Sequence, residues 1–227
     1  MLADFDFLPN TQVLLLLFEA TGQTLYMVLA SLLASLAIGG PIGIFLATTR
    51  EGELFEAPWF HIFVGPLVNM ARSVPFIILA VAIIPFTRLI AGTSIGTTAA
   101  IVPLAVATIP FLARIVEGAI REVDAGLIEA AHAMGAHPWQ IVFKVLLPEA
   151  LPALIHGVTL ALVTMIGYSA MVGAVGGGGL GDLGIRYGYQ RFRPDVMVLV
   201  VFVLVMMVQG FQMMGEWLAR RFDKRTL

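Results

Sequence analysis

The chain lacks cysteine, which removes disulfides and thiol chemistry from its possible functions. Lysine occurs only at Lys144 and Lys224. Neither follows a glycine-rich turn, so the chain carries no phosphate-cradling GxxxxGK[ST] loop of its own. Charge is scarce: 12% of 227 residues, against about 25% in ordinary soluble domains. That is too little to cover a water-facing surface. A net charge of −2 without a basic tract excludes a nucleic-acid partner.

Apolar sequence takes the place of charge. Hydrophobic residues make up 59% of the chain and the mean hydropathy is +0.94. Stretches such as "VMVLVVFVLVMMV" (Val196–Val208) are continuous rather than alternating, which rules out a membrane β-barrel. The fold class expected is all-α and polytopic, since only helices satisfy every backbone group inside lipid. A bilayer core of about 30 Å needs about 20 helical residues. Five segments meet that length: Leu17–Thr48, Ile62–Thr87, Ser94–Gly118, Leu147–Val175 and Pro194–Leu218. They form one membrane domain over residues 1–227, with connections at about 119–146 and about 176–195. The start "MLADFDFLPN" is acidic, unlike a signal peptide, so the first apolar helix is expected to be retained.

Basic residues set the expected orientation. With the N-terminus outside, Arg50, Arg114, Arg121, Lys144, Arg220, Arg221, Lys224 and Arg225 fall inside. Arg88, Arg186, Arg191 and Arg193 fall outside. The excess favours N-out, C-in and places the 119–146 connection in the cytoplasm.

Apparent enzyme motifs dissolve on inspection. "GGGGLG" (Gly176–Gly181) matches GxGxxG, but a dinucleotide fingerprint needs a preceding strand. A tight helix exit is the better reading. Glu129 and His132 form a single ExxH, whereas di-iron bundles need two with further glutamates. His132 and His137 are five apart and share no helical face. No metal site is expected, and His61 and His156 read as structural or interfacial. No acid–base constellation converges for an intramembrane enzyme. Glu19, Glu149 and Glu216 all lie near span ends, which disfavours an ion-coupled carrier.

The cytoplasmic connection contains "EAAHAMGAHPWQIVFKVLLP" (Glu129–Pro148). Asp124 suits a helix N-cap, and "GLIEAAHAM" allows two turns with small alanines. Gly135 suits a left-handed helix end, and His137 before Pro138 is forced toward extended backbone. The product is a short helix with a low surface, fit for close approach by a partner or for lying on the membrane. Arg121, Glu122 and Glu129 suit a polar contact.

This stretch resembles the EAA motif of bacterial ABC-importer permeases. Glu129, Ala130, Ala131, Gly135 and Leu147-Pro148 stand at that motif's spacing, with Val145 in place of its isoleucine. The resemblance implies a type I ABC-importer permease fold whose loop seats in a groove of an ATPase subunit. Glu129, Ala130, Ala131, Gly135 and Pro148 would carry the coupling. "RSVPFIILAVAIIPFTRLIAGTSIG" (Arg72–Gly96) and "AVGGGGLGDLGIRYGYQRF" (Ala174–Phe192) resemble permeases of methionine-uptake ABC transporters. That resemblance implies a multi-pass protein of the bacterial inner membrane. Its partners would be a second copy of itself, two ATP-binding subunits, an external methionine-binding lipoprotein and membrane lipid. No cofactor is implied on this chain; ATP and Mg belong to the ATPase partner.

Arg72 lies within the second expected span, where a charge costs about 2.5 kcal/mol or more without a partner or a water-filled cavity. Attraction of a substrate carboxylate and a structural pairing are both open. Ser73-Val74-Pro75 loosens the helix beside it. Asn69, Arg72, Ser73, Pro75, Met165, Tyr168, Ser169 and Met171 are the candidate pathway residues. Arg186, Tyr187, Tyr189 and Arg191 combine aromatics with arginine, a composition suited to docking a protein or to anchoring at the interface.

Overall fold

The computed structural model describes residues 11–49 and 54–223. The acidic start, Arg50 and the Lys224–Arg225 end of the basic tail lie outside the described residues. Among those described, all regular structure is helical: α1 (Thr11–Thr48), α2 (Pro58–Ser73), α3 (Phe76–Ala82), α4 (Ile84–Ala91), α5 (Thr97–Arg121), α6 (Ala125–Ala133), α7 (Pro138–Ile141), α8 (Leu147–Val172), α9 (Gly179–Leu183) and α10 (Pro194–Phe222). Three π-helical turns accompany them, at Val142–Leu146, Gly173–Gly177 and Gly184–Tyr189.

Among the described residues four helices are long and apolar enough to cross a membrane: Thr11–Thr48, Thr97–Arg121, the continuous Pro138–Gly177 and Pro194–Phe222; the bent pair Trp59–Ser73 and Phe76–Ala82 meets the same test together and would make a fifth span. The second expected span, Ile62–Thr87, is not one helix. It breaks between Ser73 and Phe76 with a bend of 101° and again at Ile83, which sits at φ −92°, ψ 12°. The cause is local. Pro75 has no N–H and holds Val74 at φ −80°, ψ 124°, so α2 cannot continue.

The chain forms two compact units, and each long helix contributes one segment to each. In the first unit (1–33, 75–106, 162–211) Val13 and Ala20 of α1 pack with Leu180, Leu183, Val196 and Val200. In the second (34–74, 107–161, 212–227) a larger core joins Ala47, Val116, Ile120 and Val123 to Ala131, Ile141, Val142 and Leu146. Phe202, Val205 and Met206 of α10 remain exposed. In a membrane protein such a face meets lipid or a second chain rather than water.

The segment at about 176–195 is more ordered than a loop. Gly176, Gly178 and Gly179 take φ values of 92°, 76° and 75°, conformations that only glycine adopts cheaply. After that turn come α9 and a π-helical turn. The Gly179 N–H donates to Gln23 Oε1 at 2.9 Å and the Leu180 N–H to Thr24 Oγ1 at 2.9 Å. Side chains of α1 therefore satisfy the first donors of α9, which has no cap of its own.

Candidate functional site

Helix α6 carries most of the residues singled out by spacing. Asp124 Oδ1 accepts from the Gly126 N–H at 2.7 Å and caps the start. At the other end Gly135 sits at φ 76°. The Gly135 N–H donates to the His132 carbonyl at 2.9 Å and the Ala136 N–H to the Ala131 carbonyl at 3.1 Å. This pair of bonds is a Schellman ending, which closes orphan carbonyls and fixes the chain's exit. His137 leaves extended, at φ −68°, ψ 145°, and caps α7. Its Nδ1 accepts from the Trp139 N–H at 3.4 Å, and Gln140 Oε1 accepts from the His137 N–H at 3.0 Å.

The short helix is clamped on one side only. Ala131 is 3% exposed and packs, with Ile128 and Ala136, on the core of its unit. Glu129, Ala130, His132, Ala133 and Gly135 are exposed, and Met134 is 81% exposed. Both ends are fixed, and the outer face mixes small residues with Leu127, Glu129, His132 and Met134. Pro148 has a separate task. It has no N–H to donate one turn back, and the turn before it, Val142–Leu146, is widened to π-helix. A π-bulge absorbs a proline without ending the helix.

Aromatic rings brace the base of this region. Trp139 lies 4.8 Å from Phe55, 6.1 Å from Phe45 and 6.0 Å from Phe143. Contacts of this geometry add about 0.5–1.5 kcal/mol each beyond burial.

The pathway candidates divide. Arg72 closes the last turn of α2, exposed, with its guanidinium 5.8 Å from the centre of the Phe111 ring. The cation therefore rests on an aromatic face within its own unit. Asn69 and Pro75 are exposed, and Ser73 Oγ donates to the Asn69 carbonyl at 3.1 Å. Tyr168 stacks on Phe76 at 4.3 Å with the rings 4° from parallel, and Met171 is 47% exposed. Met165 is 0% exposed and Ser169 2% exposed. Ser169 Oγ donates to the Ile166 carbonyl at 2.7 Å. These two side chains are spent on the packing of their own unit and present no surface to a solute.

On the segment after the glycines, the arginines converge on one ring. Arg186 lies 5.8 Å and Arg191 4.3 Å from the Tyr187 ring centre. Arg186 also pairs with Asp182. Arg193 meets Asp195 at 2.5 Å, and that hydrogen bond raises the Arg193 guanidinium above its ordinary pKa. Tyr189 is 69% exposed.

One polar network escaped the sequence reading. Arg114 donates to Glu117 at 2.5 Å and to the Gly65 carbonyl at 2.6 Å, and His61 lies 3.7 Å from Glu117. Glu117 is 4% exposed. The available signal was an Arg and a Glu three apart inside an apolar run, the spacing of helical neighbours.

Comparison with known proteins follows the same lines. Residues 39–227 match the family model described as "Binding-protein-dependent transport system inner membrane component". A Vibrio cholerae protein named "Probable D-methionine transport system permease protein MetI" is 53% identical over 210 residues, covering 92% of this chain and 93% of that one. A Bacillus subtilis protein named "Methionine import system permease protein MetP" is 42% identical over 219 residues, covering 96% of this chain and 98% of that one. Among solved structures, a chain from "Inward facing conformations of the MetNI methionine ABC transporter" superposes with a TM-score of 0.93. It is 48% identical and covers 95% of this chain and 100% of its own.

Proposed function

Because the chain belongs to the family of binding-protein-dependent transport system inner membrane components, we propose that it is the membrane-spanning subunit of an ATP-driven methionine importer. The observation that carries this reading is α6. Its two ends are fixed, it is anchored by Ala131, and it presents a small-residue face bearing Glu129 and Ala130 before Gly135. The names of relatives at 53% and 42% identity supply the substrate.

Two copies of the chain enclose the pathway in the inner membrane, N-out and C-in. A methionine-binding lipoprotein docks outside on the segment with Arg186, Tyr187, Tyr189 and Arg191. Two ATPase subunits dock inside, each receiving one α6 in a groove. Glu129 and the exposed alanines make the contact, Gly135 fixes the exit of the chain, and the Pro148 turn passes the displacement into α8. ATP and Mg are bound by the ATPase, and this chain performs no chemistry. Binding and hydrolysis of ATP shift an equilibrium between outward- and inward-open states, through contacts that differ between the two. Asn69, Arg72, Ser73, Pro75, Tyr168 and Met171 border the pathway near the bend that follows α2.

Uptake of labelled methionine into vesicles, with and without the ATPase and binding protein, tests the reading. Import that requires all three components and ATP supports it. Import driven by an ion gradient in the permease alone overturns it.

A further inference from the structure

In the first unit α3, α4, α5 and the π-helical turn after α8 enclose a cavity of about 60 Å³. Its wall is apolar and small, with Ala80, Ile84, Ala99, Ala100 and Val172 among the lining residues. Two polar side chains interrupt it, Thr87 and Ser94. Thr87 lines the cavity, is 4% exposed, and its Oγ1 has no hydrogen-bond partner among the described residues.

Among the described residues Thr87 shares this state with the buried Thr108 hydroxyl, while several other helical hydroxyls are paired. Thr21, Ser31, Thr48, Thr49 and Thr159 each donate to the carbonyl four residues back, the usual resort of a helical hydroxyl. The corresponding carbonyl for Thr87 belongs to Ile83, at the break between α3 and α4, where it accepts the Thr87 N–H at 2.8 Å. The Thr87 hydroxyl makes no bond to that carbonyl and is left buried beside the cavity, without a partner among the described residues. A buried hydroxyl without a partner is costly, and a ligand atom that accepts from it recovers that cost.

The neighbouring residue completes the pattern. Arg88 is exposed and its Nη2 donates to Ser94 Oγ at 3.3 Å, and Ser94 also lines the cavity. A guanidinium thus stands at the rim of an uncharged hole. One water-sized atom occupies about 10–15 Å³ on this measure, so the cavity holds about four to six. A methionine side chain is three carbons and a sulfur, and thioether sulfur is a weak hydrogen-bond acceptor.

We propose that this cavity is a transit site for the transported amino acid: it receives the thioether side chain, with Thr87 Oγ1 donating to sulfur and Arg88 meeting the α-carboxylate at the rim. The proposal rests on the methionine-importer reading for its ligand. The site selects by shape and by one hydroxyl, and it holds the substrate weakly, as transit requires.

The absence of native cysteine gives a direct test in the assembled transporter. Ile84 lines the cavity and is 40% exposed, so Ile84→Cys is labelled with a small thiol reagent in the presence of methionine, norleucine or alanine. Methionine slows labelling about fivefold more than norleucine, in line with one net hydrogen bond, and alanine has no effect. Added Thr87→Val, which keeps the shape and removes the hydroxyl, abolishes the difference between methionine and norleucine, and Thr87→Ser retains it. Equal protection by methionine with and without Thr87→Val overturns the site. So does a complex that imports methionine with no protection at position 84, and that result leaves the importer reading standing. Thr87-dependent protection in a complete complex that imports no methionine supports the site and removes the importer reading.

Discussion

Arg114 and Gly65, forty-nine residues apart in sequence, are joined by a 2.6 Å hydrogen bond from guanidinium to carbonyl. The same guanidinium holds Glu117, which is 4% exposed. This cluster ties α2 to α5 within one unit. Removing Arg114 takes the nearest partner from a buried carboxylate and leaves His61 at 3.7 Å, a loss of up to roughly 3–5 kcal/mol. Arg114→Met is expected to lower the thermal midpoint of the purified complex strongly. The double variant Arg114→Met/Glu117→Gln is expected to be milder than Arg114→Met alone, because the buried carboxylate that lost its arginine is then gone. Additive losses in a double-mutant cycle would show that the two residues act independently.

Gly135 separates a backbone requirement from a contact requirement. Its φ of 76° favours glycine or asparagine, yet a Cβ there meets nothing within 4 Å in this chain. Gly135→Asn is expected to fold and insert normally, and Gly135→Leu to lose about 1–2 kcal/mol of local stability. If an ATPase surface lies against this turn, both variants lose ATPase co-purification and uptake. Normal coupling in Gly135→Asn would reduce the role of Gly135 to backbone geometry.

Asp124 makes a prediction confined to α6. Replacing an N-cap aspartate by alanine costs about 1 kcal/mol. Asp124→Ala is expected to speed hydrogen exchange at the α6 amides about fivefold while α5 and α8 exchange as before. Unchanged exchange in α6 would mean that the core contact of Ala131 alone holds the helix.

Gly181 packs against α8 with no room to spare. A Cβ built on it falls 2.5 Å from Ala170 Cα, and one built on Gly173 falls 2.4 Å from the Asp182 nitrogen. Gly181→Ala is expected to destabilise the first unit by about 1–3 kcal/mol through overpacking against rigid backbone. Gly167→Ala, with nothing within 4 Å, is its matched control and is expected to be neutral. Equal yields and midpoints for the two would contradict the close packing of α9 on α8.

Arg72 rests 5.8 Å from the Phe111 ring centre, and no ion pair joins it among the described residues. Arg72→Ala is expected to reduce uptake several-fold without reducing assembly, and Arg72→Lys to recover part of it, since a cation–π contact of about 1 kcal/mol tolerates either cation. Unaltered uptake in Arg72→Ala would take the residue out of the pathway.

The helical class was legible because continuous apolar runs of membrane length have one solution, the helix that bonds its own backbone. The α6 region was equally legible, for a different reason. Asp124, Gly135 and the His137-Pro138 pair act through their own and adjacent backbone, so neighbouring residues decide the outcome. The second span was misjudged in continuity, although Pro75 was in view. A proline kinks a helix or ends it according to how the freed groups are satisfied, and here α2 ends.

By itself, the sequence determined what depends on local chain stiffness and on transfer to lipid: the helices, their caps, the small-residue face of α6 and the family to which the chain belongs. Only the tertiary structure decided which face of each helix is covered. That is why Met165 and Ser169 proved buried, why Arg114 found Gly65 and Glu117, and why the glycine-rich segment took its caps from Gln23 and Thr24. In lipid, hydrophobicity does not distinguish a face turned to lipid from one turned to a helix. Close packing and polar pairing between distant segments make that choice, and an apolar run carries little record of it.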